Sequence, residues 1–397
     1  MNQSSTTALD DKALREHINW SNFYRHLQVG ALPLTMLPAL AIYGLCTVPF
    51  QRNTLILTFV CYFLTTISIT AGYHRLFAHK SYEGSSVLKA ILLCIGAGAA
   101  EGSCRWWARG HRAHHRYSDL NQDPYGVHRG FLNAHIGWML FTPRYRPGRV
   151  DMGDLDADPL VRFQHKHYLT MVAVFAFMIP SCVAGFGWAD WRGGFLFACC
   201  LRMTLAHHAT FCVNSVAHYF GDAPFDDNRS PRDHFITAII TQGEGYHNFH
   251  HEYPNDYRNA IKWWQYDPTR NFIWVCWLLG FAKNLQRTGD AIIEKSMLQM
   301  EQKKLDKRKA DLAWPRQDLP LMTLAEMAHE SENRILLSLN GYIHDASAFA
   351  ANHPGGRAFV LSRRGKDIAL DFNGGIYNHS NAARNQLDML RVARLKE

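Results

Sequence analysis

The 397-residue chain lacks the features that mark secreted, nucleic-acid-binding and repeat proteins. Its nine cysteines form no CxxC pair, and Cys46, Cys61, Cys94, Cys199, Cys200 and Cys212 lie in apolar stretches, the setting of buried, reduced thiols rather than of disulfides or zinc. Met1 to Trp20 contains no basic region followed by an apolar core. A cleaved signal peptide is therefore not expected, and membrane insertion has to rely on internal segments. No RNA- or DNA-binding motif and no internal repeat of useful length is visible. An excess of either charge is missing from the C-terminal part: residues 318–397 hold nine Lys/Arg and nine Asp/Glu, so the whole net charge of +8 lies before them. A basic balance beside apolar runs suits a membrane surface or an anionic substrate, not nucleic acid.

Four runs approach the length of about 20 mainly apolar residues that a spanning helix needs. They cover about 29–50, 54–72, 169–188 and 194–216, the last carrying Arg202, His207 and His208. A fifth run, 87–100, is too short to cross and reads as an interfacial or re-entrant helix ending at Glu101. Short connections at Gln51–Asn53 and around 189–193 make two hairpins, which puts 1–28, 73–168 and 217–397 on one side. That side holds nearly all Lys and Arg, and the positive-inside rule assigns it to the cytoplasm. The charged stretch 283–309 reads as an exposed or amphipathic helix, with Pro315 and Pro320 bracketing the next boundary.

The chain has 22 histidines, and many are clustered. His74 and His79 follow the second run; His111, His114 and His115 form a second cluster; His247, His250 and His251 form a third. Offsets of three and four place imidazoles on one helical face, where several can serve one metal region. All three clusters fall on the same side of the membrane, where they can converge. His218, and Asn214 one turn before it, are further candidates on that side. Isolated histidines such as His17, His128 and His329 read as surface or core residues, and His207 and His208 as packing or tunnel-lining residues.

At these clusters the chain resembles the membrane fatty-acid desaturases with their three histidine boxes. Its wider context, Gly72-Tyr-His-Arg-Leu-Phe-Ala-His79, Arg105-Trp-Trp-Ala-Arg-Gly-His111, Asn214-Ser-Val-Ala-His218 and Gly243-Glu-Gly-Tyr-His-Asn-Phe-His-His251, resembles the fungal type of stearoyl-CoA (Δ9 acyl-CoA) desaturases over about residues 20–285. The resemblance implies a non-haem centre of two Fe. Its ligands would be His74, His79, His111, His114, His115, His218, His247, His250 and His251, with Asn214 reaching one metal through water. The reaction it implies removes two hydrogens from adjacent carbons of a saturated acyl-CoA; O2 becomes water, and two electrons arrive from outside. An unactivated C–H bond has no useful acidity, so acid–base side chains cannot do this work and a metal must activate oxygen. The resemblance also assigns Arg109 to CoA. Arg144 is a basic neighbour, although the family's usual basic pair falls nearer Thr142 and Pro143. Trp107 and Thr210 are expected at a bend of the acyl tunnel. Tyr62 is expected to close its far end, with Thr66, one turn on, in the place of a smaller residue.

The C-terminal part reads differently. Leu336 to Asp345 is a strand, a turn at Asn340-Gly341 and a second strand, followed by His353-Pro-Gly-Gly356 and, later, His379. This resembles cytochrome b5 over about 320–397 and implies His353 and His379 as axial ligands of haem b. Two histidines close both axial positions, so such an iron passes electrons.

The expected architecture is mainly α: a four-transmembrane-helix desaturase with a cytosolic helical cap, then a small α+β haem domain. Its parts are an N-terminal segment (1–28), the membrane domain (29–285), a charged helical linker (286–317) and the haem domain (318–397). The expected function is Δ9 desaturation of C16–C18 acyl-CoA, with NADH-cytochrome b5 reductase as electron donor, in contact with membrane lipid of the endoplasmic reticulum. An acyl-lipid desaturase or a fatty-acyl hydroxylase would share the boxes. A membrane electron carrier or metal transporter is the reading from another class, but a transporter would be expected to hold its metal nearer the membrane midplane.

Overall fold

The computed structural model describes residues 27–28, 30–142, 145–312, 318–375 and 377–396. The chain divides into two compact units, one ending at Met300 and the other beginning at Glu301.

The first unit is helical. Helix α1 (Ala31–Thr47) is followed by α2 (Arg52–Ala78), α3 (Ser86–Ala97), α4 (Cys104–Tyr117), α5 (Tyr168–Trp188) and α6 (Trp191–Tyr219). Three of these, α2, α5 and α6, are long and apolar enough to cross a membrane. The first expected span coincides with α1, which at 17 residues is shorter than these three, and the short fifth run with the 12-residue α3. The second span is longer than its apolar run. It continues as a π-helical stretch, Ser68–Ala78, so His74 lies within the helix and not beyond it. Exposed Ile42, Phe59 and Phe186 show that the outer faces of α1, α2 and α5 are apolar.

The two hairpin tips meet. Thr54, at the start of α2, donates to Asp190 in the α5–α6 connection (2.5 Å) and accepts from Trp188 Nε1 (2.8 Å). Asp190 also caps α6 by accepting from Gly193 N, and Ala189 turns the chain in the left-handed region. Where α1 crosses α6, a Cβ at Gly44 would stand 2.8 Å from Leu196 Cβ; only a small residue permits that approach. The fully buried Arg202 donates to the carbonyls of Gly98 (2.6 Å), Ala176 (3.2 Å) and Ala198 (3.2 Å). It thereby satisfies backbone at the end of α3 and in the π-helical turn of α5, as groups remote from water require.

Among the later helices of this unit are α7 (His247–Glu252), α8 (Pro268–Leu278) and the start of α9 (Asp290–Asp311), which carries the chain across the division between units. A two-residue antiparallel pair, β1 (Glu83–Gly84) with β2 (Ala282–Lys283), ties the segment after His79 to the segment after α8.

The second unit has a four-stranded sheet of order β3 (Leu321–Met322), β6 (Arg391–Leu395), β5 (Tyr342–Asp345), β4 (Leu336–Leu339), with β3 parallel to β6 and the rest antiparallel. Asn340 and Gly341 both have positive φ, 51° and 77°, the two-residue turn that matches strand twist. A core of Ile335, Leu337, Val360, Ile368, Phe372 and Leu387 packs beside this sheet.

Candidate metal centre

The nine histidines arrive from four helices and the flank of one of them. α2 brings His74 and then His79 at its C-cap. α4 brings His111, His114 and His115, the end of α6 brings His218, and α7 brings His247, His250 and His251. They sort into two groups, His74, His79, His111, His115 and His250 in one and His114, His218, His247 and His251 in the other, each with nitrogens within 4.8 Å of one another. Helical spacing explains the division. Residues four apart share a face, so His111 goes with His115 and His247 with His251, while His114 and His250 turn to the neighbouring group.

Whether these rings can bind metal depends on which nitrogen carries the proton. His114 Nδ1 lies 3.0 Å from Asp123, His74 Nδ1 3.0 Å from Glu244, His218 Nδ1 2.7 Å from Ser230, and His111 Nδ1 3.3 Å from the Tyr125 hydroxyl. Asp123, and Ser230 whose own proton goes to Asp119, accept from Nδ1 of His114 and His218, which places the proton there and leaves a lone pair on Nε2. The Nε2 atoms then face each other: His74 and His250 at 2.9 Å, His79 and His111 at 2.7 Å, His115 and His250 at 2.9 Å in the first group; His114 and His251 at 3.1 Å, His218 and His247 at 3.0 Å, His247 and His251 at 3.0 Å in the second. Lone pairs at such distances repel unless a cation lies among them. Burial, reinforced by neighbouring rings and other cationic groups, holds His79, His111, His115, His247, His250 and His251 well below the usual imidazole range, in the neutral, ligating form. The residues fit two metal ions with all-nitrogen donor sets, chemistry that suits iron.

Sequence reasoning missed the polar frame around the rings. Arg75, 1% exposed, donates to Glu244 (2.9 Å) and Asp267 (3.0 Å), and Glu244 also accepts from Asn259. Ser230, the partner of His218, donates to Asp119 (2.6 Å). An arginine between two box histidines at the end of an apolar helix was the available signal, since buried guanidinium demands carboxylates.

A cavity of ≈ 610 Å³ opens against the first group. Thr66, Trp107, Thr210, Asn214 and Arg109 line it, beside His74 and His111. Trp107 stacks on His111 with ring centroids 5.0 Å apart. Tyr62 is placed differently from the expectation: it is not among the lining residues, and its hydroxyl donates to the Ile240 carbonyl (3.0 Å). A tyrosine in an apolar helix needs a partner for its hydroxyl, and that backbone carbonyl supplies one. Arg144 lies outside the described residues. His207 donates to the Ala99 carbonyl (2.7 Å) and lines the cavity, while His208 meets His135 (3.0 Å); neither belongs to a histidine group.

In the second unit His353 and His379 face each other with ring centroids 6.4 Å apart. One metal atom fits between them, given imidazole–metal bonds of about 2 Å and ring radii of about 1.2 Å. His353 Nδ1 donates to Gly356 O and His379 Nδ1 to Phe372 O, both at 3.2 Å, so each Nε2 is left to ligate. Gly355 leaves room for the first ring, since a Cβ there would stand 2.9 Å from His353 Cε1 and would displace the imidazole. Phe372 stacks on His379 at 4.3 Å.

Comparison with known proteins agrees with this geometry. Residues 53–276 match the family model for fatty acid desaturases, and residues 323–396 match the cytochrome b5-like heme/steroid binding domain. The chain is 47% identical over 377 residues to the probable acyl-CoA desaturase of Schizosaccharomyces pombe, spanning 94% of this chain and 78% of that one. It is 43% identical over 387 residues to acyl-CoA desaturase 1 of Saccharomyces cerevisiae, spanning 96% and 74%. It is 37% identical over 289 residues to stearoyl-CoA desaturase 5 of Bos taurus, spanning 70% and 83%.

Proposed function

The chain belongs to the fatty acid desaturase family and carries a cytochrome b5-like domain at its C-terminal end, and from that premise we propose that it is an O2-dependent Δ9 acyl-CoA desaturase served by its own haem. The observation that carries this reading is the pair of converging imidazole groups beside a cavity lined by apolar and hydroxyl side chains. When bound, two irons supply the oxygen activation that a strong C–H bond requires, and haem b supplies one-electron transfer.

The roles of this chain's residues follow. His74, His79, His111, His115 and His250 hold one iron; His114, His218, His247 and His251 hold the other, with Asn214 acting through water. His353 and His379 hold the haem. The cavity walls bind the acyl chain and exclude water, and Trp107 and Thr210 place the reacting carbons beside the first histidine group. Arg109, in the cavity wall, and Arg144 take the phosphates of CoA. α1 completes the two hairpins as a fourth span, residues 29–285 act as the membrane domain, and 286–317 as the linker to the haem domain. The histidine groups face the cytoplasm from an endoplasmic reticulum membrane, where an NADH-cytochrome b5 reductase delivers electrons.

The test is expression in a strain that requires unsaturated fatty acids, followed by fatty-acid analysis. Growth with oleate and palmitoleate in the lipids is the expected result. Accumulation of hydroxy acids, or no rescue by a protein that loads both iron and haem, would overturn it.

A further inference from the structure

One acidic side chain faces the cavity and has no part in the reading above. Glu101, just beyond α3, is 8% exposed. Its Oε1 accepts from Thr210 Oγ1 on α6 (2.9 Å), and its Oε2 accepts from Trp107 Nε1 on α4 (3.3 Å). It therefore bridges, across the cavity wall, the two side chains assigned to the bend. The ionisable neighbours that feel its charge are Tyr62 and Tyr73 on α2 and Tyr168 on α5. Arg109, His207, Glu244 and the box histidines His74 and His111 line the same cavity, and none of them forms an ion pair with it among the described residues. Two neutral donors replace poorly the water that a carboxylate loses, and burial pushes Glu101 up to about 7.

We propose that Glu101 is a positioning residue of the acyl cavity that must be in its neutral acid form when a saturated chain fills the cavity, so that acyl binding takes up a proton. The inference rests on the acyl-CoA reading. Methylenes entering the cavity displace solvent and remove the last hydration of a carboxylate beside them, an arrangement that favours the uncharged form. The acid is accommodated without moving another side chain. The Thr210 hydroxyl rotates to accept from the new Glu101 O–H, while Trp107 N–H still donates to the other oxygen. The proton comes from bulk solvent and stays on Glu101 until the chain leaves. Because the chain selects the neutral form, affinity is highest below the pKa of the free site and falls as pH rises through it. Between pH 6 and pH 8 the dissociation constant for the acyl-CoA should rise about tenfold.

The experiment is calorimetric binding of stearoyl-CoA to the full-length, metal- and haem-loaded protein, without reductant, in buffers of different ionisation heat. Free CoA serves as the control for its own phosphates. The expected result is proton uptake beyond that of CoA between pH 7 and 8, and a dissociation constant that rises over that range. In Glu101→Gln the amide donates to Thr210 and accepts from Trp107, copying the neutral acid. Its uptake should match that of CoA alone, and its affinity should be flat with pH. In turnover the wild-type pH effect should appear in KM and not in kcat. Wild-type uptake equal to that of CoA, or a Glu101→Gln profile that follows wild type, overturns the inference while leaving the enzyme an acyl-CoA desaturase. Failure of stearoyl-CoA to bind wild type at any pH, with normal haem absorbance and melting, overturns the acyl-CoA reading and the inference with it.

Discussion

Asp123 presents both carboxylate oxygens to His114 Nδ1, each at 3.0 Å, and also accepts from its own loop at Tyr125 N. The carboxylate therefore fixes the His114 tautomer from outside the metal group and strengthens the ring as a donor. Partners of this kind are worth about 10–100-fold in metal affinity or activity. Asp123→Asn is expected to lower iron content and desaturation by that order while leaving haem absorbance intact. Iron analysis against haem absorbance, at equal expression, checks it. Unchanged iron loading in Asp123→Asn would mean that the contact only packs the loop.

The haem ligands stand on a separate unit, so their loss should separate cleanly from loss of the histidine groups. His353→Ala is expected to abolish haem absorbance, retain non-haem iron, and lose desaturation until free cytochrome b5 is supplied. His115→Ala should do the reverse, since a metal missing one donor loses geometry as well as affinity. A His353→Ala protein with normal haem absorbance would refute the axial assignment.

Much of this was legible in the sequence because the signals were local. Box spacings, the His-Pro-Gly-Gly turn and the Asn340-Gly341 hairpin each lie within a few residues. The unread parts depend on contacts across long sequence separations. Glu244 stands in a box stretch, but only the fold shows that it meets His74 and Arg75, 170 and 169 positions away. Glu101 reads as the end of an apolar run until α4 and α6 bring Trp107 and Thr210 to it. The length of α2 was underread because hydropathy falls at His74 and Arg75, whereas the helix continues in π-form to Ala78 with those side chains buried.

Acid sensitivity should enter through Asp154. Arg112 donates to both of its oxygens at 2.7 Å, and Lys80 adds an ion pair at 3.1 Å. Although partial burial opposes ionisation, these cations hold the carboxyl well below its usual range. A depressed folded-state pKa contributes stability above the unfolded value of about 3.9, and that contribution is lost as pH falls towards the folded value. The site is partly open to solvent, so the contribution is about 1 kcal/mol. Asp154→Asn is expected to melt earlier than wild type at pH 7, with the gap narrowing below about pH 4. A gap that is constant with pH would assign the loss to packing.

Chain-length preference should depend on Tyr62 through the segment it holds. Its hydroxyl donates to Ile240 O, and the next residue, Thr241, lines the cavity together with Thr66 and Thr70 of α2. The ring itself is outside the lining. If Tyr62 acted by bulk alone, Tyr62→Phe would be silent and only Tyr62→Gly would lengthen the accepted chain. With the hydroxyl as a tether, Tyr62→Phe also releases the Ile240 carbonyl and loosens the wall at Thr241. Both substitutions are therefore expected to raise use of C20 acyl-CoA relative to C16, with Tyr62→Gly the larger effect and the double-bond position unchanged. Competition among C14 to C20 substrates in membranes measures this directly. A Tyr62→Phe preference identical to wild type would remove the tether from the account, and an unchanged Tyr62→Gly preference would remove Tyr62 from it altogether.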